Sequence, residues 1–191
     1  MQLAFHSSSI NGLVEITPFF SPDQRGYFTK TFSEEVFAAH GITFAPVEEL
    51  GSSSCRHTLR GLHFQRRHSQ DKLVRVLSGE VYDVVVDLRP NSETFGRWQS
   101  FRLSAENRKM LYIPKQFAHG FLVLSDEAVL HYLCGARYDP ESEDGIIWND
   151  PDLAIDWPLE PGCLPLLSPR DQSFPSFAGF CASRAAALGI G

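Results

Sequence analysis

No stretch of the 191-residue chain approaches the roughly eighteen consecutive apolar residues that a membrane-crossing helix needs. The first residues, MQLAFHSSSINGLVEI, also lack the basic region and apolar run of a secretion signal. The expectation is a soluble, cytoplasmic chain with no membrane partner. Cysteine is scarce and poorly spaced: Cys55, Cys134, Cys163 and Cys181 form no C-x-x-C, and His131, three residues before Cys134, has no second pair to complete a zinc knuckle. Neither a metal knuckle nor a disulfide framework is signalled. Positive charge is in deficit as well. With 17 Lys and Arg against 23 Asp and Glu, the formal charge is -6, which argues against nucleic acid as a partner, because such proteins carry a basic face or tail.

Helical pattern is in short supply too. One short segment, 33–40, has a capping Ser33, acidic Glu34 and Glu35 in its first turn and Gly41 as a stop. Helical composition returns only in the tail, at 182–188. Short apolar runs separated by turn residues fill the rest. Strands are expected at 13–20, 42–47, 58–65, 72–77, 81–88, 98–103, 110–113, 117–124 and 129–134. Many short strands at regular spacing indicate one all-β domain, a jelly-roll β-barrel with a few short helices. In 81–88 both faces are apolar, Tyr82, Val84, Val86 and Leu88 on one side and Val81 and Val85 with Asp83 and Asp87 on the other, so this strand belongs at the centre and is covered twice. Six prolines between 140 and 169 exclude long regular elements there, so that segment should wrap over the barrel and end near Asp171.

Against the acidic background, TLRGLHFQRRHSQDKLVR at 58–75 concentrates Arg60, Arg66, Arg67, Arg75, His63, His68 and Lys72. It reads equally as a solvated basic turn and as one mouth of a sheet that binds a polar anion. Period two puts His63 and Arg60 on opposite faces unless the backbone bends at Gly61. A metal is not expected, because the position two after His63 is Gln65 and no acidic residue follows before Asp71. What is left is an acid-base set: His63, Lys72, His119, Tyr132, Tyr138 and Asp171. His119 and Tyr132 emerge among apolar neighbours and read as readily as hydrogen-bonded core residues.

Six stretches together carry a resemblance: DQRGYF (23–28), LRGLHFQ (59–65), DKLVRVLSGEVYDVVVDLR (71–89), AHGFLVLSD (118–126), WNDPDLAIDWP (148–158) and LSPRD (167–171). The chain resembles the dTDP-4-dehydrorhamnose 3,5-epimerase family. That resemblance implies a cupin-type jelly roll with no metal or cofactor, and a homodimer that exchanges an N-terminal strand, here within 1–20, leaving 172–191 as a tail. It also implies a nucleoside-diphosphate 4-keto-6-deoxy sugar as substrate, epimerised at carbons 3 and 5. The alternatives are inversion at carbon 3 alone, a sugar ketoisomerase on a related nucleotide sugar, or a non-catalytic sugar-nucleotide-binding cupin.

By the same resemblance His63 is the general base and Asp171 the carboxylate that orients it. Lys72 stabilises the enolate, and Tyr132 is the acid on the opposite face of the sugar. Arg25 and Arg60 bind diphosphate and sugar, His119 and Tyr138 line the pocket, and Lys30 and Glu48 lie around the nucleotide. Three departures from the family pattern stand out. Lys30 replaces an acidic residue, Glu48 and Leu50 occupy a Q-x-N site, and Gln116 stands for a glycine. Exchanging donors for acceptors around a base alters which base is recognised, so a shift in nucleotide preference is expected, unless Lys30 and Glu48 simply pair with each other across adjacent strands.

Overall fold

The computed structural model describes residues 2–187. The chain runs through β1 (Ala4–Ser7), β2 (Val14–Thr17), β3 (Phe19–Asp23), β4 (Gly26–Lys30) and α1 (Glu34–Ala39). Next come β5 (Glu48–Cys55), β6 (Leu59–Gln65), β7 (Lys72–Ser78), β8 (Glu80–Asp87) and β9 (Trp98–Ser104). It closes with β10 (Met110–Ile113), β11 (Phe117–Val123), β12 (Glu127–Cys134), β13 (Glu143–Gly145) and α2 (Phe177–Ala187). Two antiparallel sheets face each other, β1-β2-β10-β7-β12-β5 and β13-β6-β11-β8-β9, with β3-β4 as a separate hairpin. This is the jelly-roll architecture expected from the strand spacing.

The two-faced strand sits where its pattern requires. Val81 and Val85 enter the core between the sheets with Val74, Leu111, Leu130 and Phe121, while Val84, Val86 and Leu88 face outward beneath Leu153, Trp157 and Phe180. The proline-rich segment and α2 therefore cover the outer face of the smaller sheet. Helix α2 starts at Phe177, five residues before the expected 182, because Phe177 and Phe180 have this apolar face to bury against; Leu188 of the expected helix lies outside the described residues. On the outer face of the larger sheet, Phe37 of α1 packs with Ile42, Phe44, Leu73 and Tyr112.

Three strand expectations need correction. Residues 42–47 form no strand: Ile42 and Phe44 turn their side chains into the cluster under α1 instead of joining a ladder. The strand lies just beyond, at β5, whose sequence EELGSSSC shows no apolar alternation and which pairs along its whole length with β12. The run 13–20 is two strands parted at Pro18, and Ser21 and Pro22 do not stop the second but lie inside β3. A proline is tolerated there because the two-stranded hairpin leaves its outer edges free of ladder bonds.

Strand β6 contains the irregularity that positions the site. His63 pairs with His119 but Arg60 pairs with Phe121, so two residues on β6, Gly61 and Leu62, oppose the single Gly120 on β11. Gly61 takes up the extra residue at φ 132°, and a Cβ there would come within 2.5 Å of the Gly120 Cα. The bulge reverses the alternation. Arg60 and His63 then share one face, which resolves the conflict in the strand pattern.

Candidate active site

A cavity of about 330 Å³ opens between the sheets at one end of the barrel. The smaller sheet contributes Arg60 and His63 from β6, His119 and Phe121 from β11 and Glu143 from β13; the larger contributes Leu50 and Gly51 from β5, Lys72 from β7 and Tyr132 and Cys134 from β12. Tyr138, 44% exposed, stands at the mouth. The volume falls within the range of small-molecule sites, and the polar groups converge from two opposed walls.

His63 is oriented from behind. Its Nε2–H donates to Asp171 Oδ1 at 2.5 Å, and the edge of Phe174 closes on the ring with centroids 5.5 Å apart. Asp171 is 3% exposed and reaches this place because the proline-rich loop folds back, its own N–H held by Ser168 Oγ at 3.0 Å. Burial pushes the Asp171 carboxyl up, but the bond and charge of His63 and the Ser168 contacts outweigh it, so the group sits below the usual carboxylate value. A charged carboxylate on Nε2 fixes the tautomer and leaves the Nδ1 lone pair free to take a proton.

The opposite wall holds a cation and an acid. Lys72 lies in register between Ile113 and Cys134. Burial lowers its ammonium pKa against the opposing pull of Cys134, Glu143 and Asp83. Tyr132 bonds Ser52 Oγ through its hydroxyl at 3.2 Å. Burial is the largest of the effects that push the phenol above its ordinary 10.0, so it keeps its proton at neutral pH. Facing it, with ring centroids 6.4 Å apart, is His119, whose Nε2–H donates to Asp83 Oδ2 at 2.8 Å. His63 and Tyr132 thus stand on different sheets, either side of one cavity.

The structure brings together His63, Lys72, Tyr132, Asp171, Arg60, His119 and Tyr138. Arg25 and Lys30 stand apart from this cavity, on the β3-β4 hairpin, where Arg25 is solvent-exposed and paired with Asp23. Lys30 does not pair with Glu48; β4 and β5 belong to different sheets, and Glu48 Oε2 instead accepts the Tyr138 N–H at 2.7 Å. Gln116 has φ 67°, the left-handed backbone that suits the glycine it replaces. Sequence reasoning missed Glu143, Ser52 and Asp83. Asp83 carried a signal, an acid on the inward face of a valine strand, but Glu143 in ESEDG and Ser52 in SSS carried none.

The profile of the family described as dTDP-4-dehydrorhamnose 3,5-epimerase matches residues 7–179. The chain belongs to this family. Among curated epimerases, that of Methanothermobacter thermautotrophicus is 48% identical over 173 residues, 91% of this chain and 94% of the relative. Among solved structures, the epimerase of Legionella pneumophila in complex with dTDP-4-keto-L-rhamnose superposes with a TM-score of 0.91 at 43% identity, covering 95% of this chain and 96% of that one. A 3'-monoepimerase from Streptomyces bikiniensis in complex with dTDP-quinovose is also similar, with a TM-score of 0.85 at 36% identity over 97% of this chain and 91% of that one. These similarities identify the architecture as the cupin-type jelly roll of the epimerase family.

Proposed function

We propose that this chain epimerises a nucleoside-diphosphate 4-keto-6-deoxy sugar at carbons 3 and 5. The observation that carries the reading is the placement of His63 and Tyr132 on opposed sheets. Inverting a carbon beside a ketone needs proton removal from one face of the ring and proton return to the other. In this reading His63, held by Asp171, takes the proton and Tyr132 returns one. Lys72 stands where its ammonium meets the charge that develops on the enolate oxygen. Arg60, His119 and Tyr138 hold the sugar and its phosphate. The test is deuterium uptake from heavy water into dTDP-4-keto-6-deoxyglucose, followed by NMR. Exchange at both carbons is expected, with His63→Ala reducing it about a hundredfold or more. Absence of exchange by the parent enzyme would refute the reading, and near-parental exchange by the variant would remove His63 from the role of base. Exchange at carbon 3 alone would select the second reading, favoured by the likeness to the 3'-monoepimerase.

The active form in this proposal is a homodimer. Strands β1 and β2 are hydrogen-bonded into the chain's own sheet, whereas the β3-β4 hairpin has no sheet neighbour among the described residues and exposes Tyr27 and Phe28 at 67% and 60%. The end strand β5, which lines the cavity with Leu50 and Gly51, has one edge with no strand partner among the described residues. Docking of one copy's hairpin beside the other's β5 would carry Arg25 and Lys30 to the nucleotide.

A further inference from the structure

Strand β13 brings a second carboxylate to His63, on the ring nitrogen that Asp171 leaves free. With Nε2 committed to Asp171, the proton-accepting lone pair is on Nδ1, and Glu143 Oε1 lies 4.0 Å from that atom. The approach follows from the ladder, in which Gly145 pairs with His63 and Glu143 with Gln65. The two Glu143 oxygens have different surroundings. Oε2 accepts from the Tyr138 hydroxyl and from Arg170, whose Nη2 also donates to the Glu143 carbonyl at 3.1 Å. Oε1 has no hydrogen-bond partner among the described residues and faces the imidazole. The Glu143 side chain is 15% exposed, whereas Arg170 is 45% exposed. One end of the group therefore faces the ring, 4.0 Å from Nδ1, and the other lies against Tyr138 and the exposed Arg170.

Such a connection answers a chemical need created by the reading above, on which this inference rests. A base that has taken a proton is an imidazolium and cannot act again until it loses it. When a different residue supplies the returning proton, every inversion leaves His63 with one proton too many. Two inversions on one bound sugar place the reset inside the turnover.

We propose that Glu143 resets His63. The Nδ1–H bond of the imidazolium breaks, the proton joins Glu143 Oε1, and the resulting carboxylic acid releases it to water at the cavity mouth, which restores the carboxylate. A side-chain shift of about 1 Å brings the two atoms into hydrogen-bond range. Tyr138 and Arg170 keep Oε2 occupied and so hold Oε1 towards the ring. Glu143 acts through His63 and does not touch the reacting carbon.

Glu143→Gln retains size and an acceptor oxygen but cannot carry the proton. In rapid-quench experiments on dTDP-4-keto-6-deoxyglucose in heavy water, loss of the first C–H should stay within about threefold of the parent, while loss of the second and steady-state turnover fall about tenfold or more. Formate added to Glu143→Ala should restore the steady-state rate saturably, with the melting temperature of each variant checked against the parent. A first C–H loss slowed as much as the steady state, an unchanged steady state, or a folded Glu143→Ala variant indifferent to formate would each overturn the proposal. A parent that exchanges neither carbon refutes the functional reading itself. A parent that exchanges only carbon 3 revises that reading, and the comparison of first turnover with steady state still decides the reset.

Discussion

At the scale of single residues, the site separates groups by what burial does to their protons. The Tyr132 phenol is pushed up and the Lys72 ammonium down, both chiefly by desolvation, so one remains an acid and the other becomes the more easily discharged cation. Tyr132→Phe keeps the ring against His119 and removes only the proton. The variant should still exchange substrate hydrogen with solvent while forming inverted product about a hundredfold more slowly; equal loss of both, read by NMR, would give Tyr132 a binding role instead. Lys72 is charged below its pKa and neutral above it. Because that pKa lies under the ordinary 10.5, turnover should fall along an alkaline limb centred below that value. A limb at or above 10.5 in the pH profile of kcat would remove the ammonium from the reaction. His63 was legible because it lies in the basic stretch 58–75 and because LRGLHFQ is one of the stretches that carry the family resemblance. Glu143 was not, since its three-residue strand gains meaning only when β6 lies beside it.

At the scale of elements, β6 and the end of β8 each depend on one residue. Gly61 holds the bulge that turns Arg60 and His63 to the same side. In Gly61→Ala the new methyl meets Gly120 Cα at 2.5 Å and His119 O at 2.9 Å, backbone that cannot swing aside. The expected cost is about 3 kcal/mol or more in chemical denaturation, with activity lost even in the folded fraction. Undiminished substrate exchange would mean that the register survives without glycine. Asp87 closes β8. Its buried carboxylate accepts from Arg89 Nε and Nη2 at 2.8 and 2.7 Å and from Ser92 and Thr94 hydroxyls at 2.6 Å each. Burial pushes the carboxyl up, yet these bonds bring it from 3.8 down to about 2. A depressed carboxylate stabilises the fold above its unfolded pKa and loses that contribution as pH falls through the folded one. Asp87→Asn should therefore be about 2 kcal/mol less stable at neutral pH, the gap closing between about pH 4 and pH 2. Urea unfolding at stepped pH measures it, and a gap independent of pH would assign the loss to packing.

At the scale of the whole molecule, the proposed dimer makes the hairpin part of the site. Light scattering on a column should give about twice the 21.4 kDa of the chain. Tyr27→Asp with Phe28→Asp should shift the protein towards monomer, and Arg25→Ala should raise KM more than it lowers kcat, as loss of a binding contact does; a monomeric, fully active parent would sink this arrangement. The resemblance of its motifs pointed to His63, Lys72, Tyr132 and Asp171 as a set, and local patterning by itself determined the jelly roll, the doubly covered β8 and the short α1, although Ser33 makes no side-chain cap bond there. Those features are written in neighbours two to four positions apart, where alternation and turn chemistry act. Tertiary structure alone decided that β5 is a strand, that Arg60 turns to the side of His63, and that Asp171, 108 positions away, reaches the imidazole. A polar strand, a bulge and a loop's landing point depend on partners brought close by the packing of two sheets, and no run of adjacent residues encodes that proximity.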